Sequence, residues 1–416
     1  QIQSKAEQIL QSEIDKLRQL NVTNGAILVT KPKTGEILAM VGSVNYFDSV
    51  HQGNVNATIA LRQPGSSIKP LTYATALSQS ASNQNSTFTA ASYIADAPVS
   101  FRIAGSPDYK PRNYDGKFHG MVSLRTALAS SYNIPAVKIL DAIGVNKLLD
   151  FGEKLGITTW TQPERYGLSI TLGGAEVRMT DLAVVYGTFA NMGYKQPLKE
   201  ILAIKGIDLE NSNLQSPFTP TPVLDPSVAY IINDILSDPN ARAPTFGRIS
   251  KLSIPNHKVA VKTGTSNDLR DNWTIGYTQD YLVAVWVGNF DNSPMSRIAS
   301  GITGATPIWN QIMTYLLTEY DPNPNVAWQQ PDNIIRSSVC TPKPENCPNC
   351  QSRSEIYVKG TQPNCAFTAI KEAAKKPQQL SQIVPNPTPI EIKKKLKNEI
   401  ENLKRKVARQ GRFISQ

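Results

Sequence analysis

Gly65-Ser66-Ser67-Ile68-Lys69 is the one place in the chain where a serine precedes a lysine by three residues. A serine hydroxyl is a weak nucleophile until a base takes its proton, and residues three apart stand about one helical turn from each other. The turn Gln63-Pro64-Gly65 delivers Ser66 to the start of a helix running through Leu71, Tyr73, Ala74 and Leu77. Unpaired N–H groups at such an end favour negative charge building on a bound oxygen. Two later stretches, Ser131-Tyr132-Asn133 and Lys262-Thr263-Gly264-Thr265, add the hydroxyl, amide and ammonium groups that an acyl-transfer site still needs.

Context separates these stretches from their look-alikes. Lys-Thr-Gly also occurs as Lys33-Thr34-Gly35, and Ser-x-Asn as Ser43-Val44-Asn45. The first Lys-Thr-Gly follows Pro32 between the apolar runs 26–30 and 37–41, and reads as a hairpin turn. The second ends an alternating, strand-like run, 257–261, and opens into small polar residues like the edge of a cleft.

Ala6, Ile9, Leu10, Ile14, Leu17 and Leu20 keep helical spacing, so residues 1–20 form an amphipathic linker helix. A hairpin over 26–42 follows. Residues 122–129, 175–193, 226–237 and 307–317 read as helices, and 273–277 and 281–287 as strands across a short turn. Helix and hairpin first, helices in the middle, strands and a helix last make an α+β fold. An antiparallel sheet is flanked by N- and C-terminal helices and carries an inserted helical subdomain. This main domain occupies 21–320. A small Cys-bearing module over 321–368 and a Pro-punctuated basic helical tail over 369–416 follow, with Leu396, Ile400, Leu403 and Val407 on one helical seam.

The 416 residues carry a net charge of +10, yet 369–416 alone holds 12 Lys/Arg against 4 Asp/Glu, so the body is nearly neutral. His51, His119 and His257, the three histidines, are scattered and read as surface or packing residues. A His-rich metal centre and a Ser-His-Asp triad are thereby disfavoured. The chain has no Gly-rich phosphate loop opening a helix, which disfavours nucleotide-driven chemistry. All four cysteines fall late, at Cys340, Cys347, Cys350 and Cys365. Two disulfides, in any of three connectivities, or a four-thiolate structural zinc site fit them, with disulfides slightly favoured. The chain lacks an initiating methionine, an apolar run of membrane-spanning length and a signal-peptide pattern, and reads as a piece of a longer protein.

At its three motifs the chain resembles the penicillin-binding proteins, most closely the transpeptidase part of the class A, bifunctional enzymes. The likeness also takes in Arg62-Gln63-Pro64-Gly65-Ser66, Lys69-Pro70, Asn113-Tyr114-Asp115, Ala129-Ser130-Ser131-Tyr132-Asn133-Ile134-Pro135, Leu172-Gly173-Gly174 and Arg270-Asp271-Asn272-Trp273. Asp238-Pro239-Asn240-Ala241-Arg242, Phe246-Gly247 and the Cys-bearing extension are similar to the penicillin-binding protein 1C type.

The resemblance implies a penicillin-binding transpeptidase/β-lactamase-like fold. It also implies a peptidoglycan D,D-transpeptidase that forms a serine acyl-enzyme with D-Ala-D-Ala stem peptides and is acylated by β-lactams. Ser66 is then the nucleophile, Lys69 its neutral base, Ser131 a proton relay and Lys262 a positive charge in the site. Asn133, Thr263, Gly264 and Thr265 bind substrate, and catalysis uses no cofactor. The resemblance further implies an extracytoplasmic location, with the parent protein anchored in the cytoplasmic membrane. The basic tail then reads as a solvated or partner-bound helix, with membrane or wall-polymer contact as the functional alternative and nucleic acid disfavoured. Tyr132 departs from the usual aspartate of the second motif. Glu164 and Glu176 do not lie in the Glu-x-x-x-Asn pattern of class A β-lactamases, so transfer to an amine is preferred over hydrolysis. A D,D-carboxypeptidase or β-lactamase, or a β-lactam-binding sensor or scaffold without turnover, are the alternatives. Arg270 and Asp271 read as a loop salt bridge, and Trp273 as core.

Overall fold

Asn24–Thr30, Asp271–Tyr277 and Leu282–Gly288 are buried at every position, the pattern of strands covered on both faces. They form the middle of a five-stranded antiparallel sheet. The computed structural model describes residues 1–82, 88–102, 105, 107–203, 219–296, 303–321, 327–340 and 352–362. Ile37–Val41 is one edge of the sheet and Ala260–Thr265 the other. Ala26 pairs with Trp286, Trp286 with Trp273, and Lys262 with Ile275.

Alternation along the strands sorts their side chains between two cores. Ile27, Val29, Val283 and Val285 pack with Leu10, Ile14, Trp309 and Ile312 of the helices Ile2–Leu17 and Ala305–Glu319. On the other face Ala26, Leu28, Ala284 and Trp286 join the core of the helical subdomain, whose helices include Lys69–Ser82, Met179–Ala190 and Pro226–Leu236. The α+β architecture expected from sequence, with the sheet completed from both ends of the domain, is the one observed.

Several boundaries move, and the helix expected over 175–193 spans Met179–Ala190. The helix expected over 122–129 begins at Leu124, because Gly120–Ser123 pairs with the strand Tyr93–Asp96. Ser123 then caps the helix, its side chain accepting from Thr126 N. The strand-like run expected from 257 begins at Ala260, and the strand carries the whole Lys-Thr-Gly-Thr stretch to Thr265. Its ladder to the neighbouring strand continues as far as the Thr265–Asn272 pair.

Beyond residue 320, Trp328 is buried and donates Nε1 to Ala190 O at 3.0 Å. Strands Ile334–Cys340 and Ser352–Val358 pair antiparallel, and Ile334 and Ile356 enter the same core as Leu28. The described residues thus belong to one compact unit. The side chain of Cys340, all of Cys347, Cys350 and Cys365, and the basic tail lie outside the described residues. No described helix is long and apolar enough to cross a membrane.

Candidate active site

Ser66 sits in a one-turn 3-10 segment, Gly65–Ile68, that runs directly into the helix Lys69–Ser82, with Lys69 N–H donating to Ser66 O. Two side chains from distant elements and one of its own pin this turn. Trp273 Nε1 donates to Gln63 O at 2.9 Å, the buried Tyr186 hydroxyl donates to Ser67 O at 2.6 Å, and Ser67 Oγ donates to Pro64 O at 2.7 Å. Gly65 has a φ of 54°, and a Cβ there would stand 2.4 Å from Thr265 O. Glycine lets the serine turn touch the end of the edge strand. The Leu172-Gly173-Gly174 stretch closes the junction, since a Cβ on Gly173 would stand 2.1 Å from Gly65 N.

Five of the expected residues share hydrogen bonds. Lys69 Nζ donates to Asn133 Oδ1 and to Ser131 O, both at 2.6 Å, and lies 3.5 Å from Ser131 Oγ. Lys262 Nζ donates to Ser131 Oγ and to Thr263 O, both at 2.8 Å. The Ser131 hydroxyl therefore stands between two amines. It is presented by a left-handed residue, φ 63°, between the helices Leu124–Ala129 and Asn133–Ile143. A non-glycine residue in that conformation costs about 1–3 kcal/mol and persists only where its surroundings hold it. Gly264 lies against the backbone of Pro64 and Ser67, Thr265 against Gly65, and Thr263 joins through its carbonyl. Ser66 is half-buried, and its hydroxyl is not among the partners of Lys69. Catalytic hydrogen bonds commonly tighten only once substrate is in place.

Lys69 is 0% exposed and Lys262 2%. Burial, and next the neighbouring Lys262, hold the Lys69 amine well below the ordinary lysine range, against a smaller opposing pull from Asp96. Burial lowers Lys262 to about 7. A neutral Lys69 has two N–H bonds, and Ser131 O and Asn133 Oδ1 use both. Its lone pair is left to receive a proton from a hydroxyl.

Sequence reasoning missed the frame behind Asn133. Asn113 Oδ1 accepts from Asn133 N at 2.8 Å, while its Nδ2 donates to the buried Asp96 carboxylate at 2.7 and 2.9 Å. Asn133 Nδ2 donates to Arg112 O at 2.8 Å, which leaves Oδ1 facing Lys69. His119, expected on the surface or in packing, stacks on Tyr132 at 4.0 Å and places Nδ1 2.6 Å from Asp96 Oδ2. The Asn113-Tyr114-Asp115 stretch was the available signal; Asp96 carried none.

The expected Arg270–Asp271 salt bridge does not form. Asp271 is buried in its strand and accepts from Trp286 Nε1 at 2.9 Å and Ser266 Oγ at 3.1 Å, whereas Arg270 donates to Asn292 O at 3.0 Å. The buried Asn272 links Thr265 Oγ1, at 3.4 Å, to Ala305 N at the start of the closing helix, at 2.9 Å. Trp273 is core, as expected. Glu164 and Glu176 are exposed. Among the described residues no three His, Cys, Asp or Glu side chains are grouped to hold a metal ion.

Residues 25–314 match the family model for the penicillin binding protein transpeptidase domain. Penicillin-binding protein 1A of Neisseria lactamica is 32% identical over 321 residues, covering 75% of this chain and 38% of that protein. Penicillin-binding protein 1C of Escherichia coli (strain K12) is 30% identical over 354 residues, covering 81% and 41%. The chain spans about two fifths of the length of these curated relatives. Among solved structures, the PonA1 protein of Mycobacterium tuberculosis in complex with penicillin V has a similar fold. Its TM-score is 0.60 at 20% identity, covering 76% of this chain and 84% of that one.

Proposed function

Because this chain belongs to the penicillin-binding protein transpeptidase family, we propose that it is a serine D,D-transpeptidase that cross-links peptidoglycan stem peptides and is acylated by β-lactams. The observation that carries the reading is the convergence of Lys69 and Lys262, both buried, on Ser131 beside the Ser66 turn. Ser66 Oγ attacks the carbonyl carbon of the penultimate D-Ala as its proton passes to the lone pair of Lys69. Backbone N–H groups of Ser66 and Thr265 hold the developing oxyanion, at about 2.7–4 kcal/mol per donor. The peptide C–N bond breaks, and the terminal D-Ala leaves as an amine that takes a proton relayed through the Ser131 hydroxyl. An acceptor amine then attacks the ester, loses its proton to the same relay and regenerates Ser66.

Lys262, with the hydroxyls of Thr263 and Thr265, binds the terminal carboxylate. The second Nδ2 hydrogen of Asn133 is left for the amide carbonyl of the stem. Gly264 lets the strand lie against the Ser66 turn, and an extended substrate lies along the outer edge of that strand beside the nucleophile. The setting is extracytoplasmic, and the penicillin V complex of PonA1 supports a β-lactam as ligand.

A labelled penicillin is expected to leave one adduct per chain, and Ser66→Ala none. An undiminished adduct in that variant would move the nucleophile elsewhere. Incubation with a D-Ala-D-Ala stem peptide, with and without an acceptor amine, should give an amide product that outweighs the hydrolysed peptide. Water as the sole acceptor would make the enzyme a carboxypeptidase.

A further inference from the structure

Glu355 lies beyond the family-matched residues, on the strand Ser352–Val358, and is 1% exposed. Its carboxylate takes both Nε contacts of Arg125, at 2.9 and 3.0 Å. Arg125 belongs to the short helix Leu124–Ala129, whose C-terminal end runs into Ser130 and the left-handed Ser131. The same guanidinium donates to Asp234 at 2.8 Å and to Asp238 at 3.3 Å. Asp238 caps the helix Pro239–Phe246, and that helix grips Ser130 twice: Ser130 Oγ donates to Ala241 O and Thr245 Oγ1 donates to Ser130 O, both at 2.9 Å. The strand holding Glu355 touches the short helix at a second point, where Arg353 Nη1 donates to its cap, Ser123 Oγ, at 3.1 Å.

We propose that Glu355 is a positioning residue of the acyl-transfer site: through Arg125 it holds the turn that presents the Ser131 hydroxyl to Lys69 and Lys262. The proposal rests on the function argued above. Ser131 adopts a backbone conformation that needs support from outside the turn, and this clamp supplies it from both sides. Burial opposes the charge on Arg125, but Glu355 and Asp234 more than offset it and hold its pKa above the ordinary value. Glu355→Gln leaves Arg125 with two carboxylates, so the guanidinium is re-aimed toward them and not stranded without a partner. The strands after residue 320 are therefore part of the apparatus that sets the geometry of the site.

A double-mutant cycle on the full chain tests this, reading the pseudo-first-order rate constant for labelling by a fluorescent penicillin, with circular dichroism showing each variant folded under the labelling conditions. E355Q is expected to slow labelling about tenfold. Ser131→Gly removes both the hydroxyl and the strained side chain, so in that background E355Q should change the rate by less than about twofold. An equal slowing in both backgrounds, or an unchanged rate in E355Q alone, overturns the proposal. Failure of the wild-type chain to take label at Ser66 would instead defeat the functional reading on which it stands.

Discussion

Lys69 and Lys262 are two amines in a place that disfavours charge on either, and Lys262 adds to the effect of burial on Lys69. Folding must take both out of water, so their protonation and the stability of the chain are linked. For Lys262 the folded pKa is about 7 and the unfolded value is the ordinary 10.5. Between those values the unfolded chain binds the extra proton, so stability rises with pH across that window; below about 7 the cost of a buried cation is present in full. Lys262→Met is therefore expected to raise the unfolding midpoint most near pH 6, with the gain shrinking toward pH 9. A pH-independent gain would contradict the assignment. The same variant removes a like charge beside Lys69, so the Lys69 pKa moves up. The acid limb of the penicillin-labelling profile should then shift to higher pH. The three motifs were singled out from the residues alone, because each carries its own polar or reactive groups. Asp96 was not, because its charge reaches Lys69, and its carboxylate reaches Asn113, only once separate segments meet.

The strand Ala260–Thr265 and the turn Gly65–Ile68 are far apart in sequence and meet backbone to backbone. That contact depends on missing side chains. Gly65→Ala places a methyl group 2.4 Å from Thr265 O on a residue with positive φ. It is expected to lose about 1–3 kcal/mol to backbone strain alone, and to lose penicillin labelling as the turn is pushed off the strand. Urea unfolding and labelling measured together check this; a stable variant that labels normally would show the junction to be loose. At this scale the sequence predicted the hairpin, the strands of the meander and the closing helix, each from its own periodicity. It misplaced the start of the helix before Ser131, since Gly120–Ser123 is drawn into a strand by a partner, Tyr93–Asp96, that no local pattern identifies.

Across the described body, the first helix and the strands after residue 320 both close on the transpeptidase domain. The helix Ile2–Leu17 and the helix Ala305–Glu319 cover one face of the sheet, while Trp328, Ile334 and Ile356 seal the core on the other. Trp328→Ala is expected to lower unfolding free energy by about 3–5 kcal/mol in a single transition of the body. A variant that melts in two steps, with the main transition unmoved, would make the later strands an independent module. The order of apolar periods along the chain determined the α+β class, and the spacing of Ser66, Lys69, Ser131 and Lys262 determined which groups were available for chemistry, because both are properties of neighbouring residues. Only the tertiary structure decided that the two amines share Ser131, that Asp271 is a buried acceptor not paired with Arg270, and that Glu355 reaches Arg125. Each of those contacts joins residues that burial brings together from distant parts of the chain, and local pattern holds no record of such a meeting.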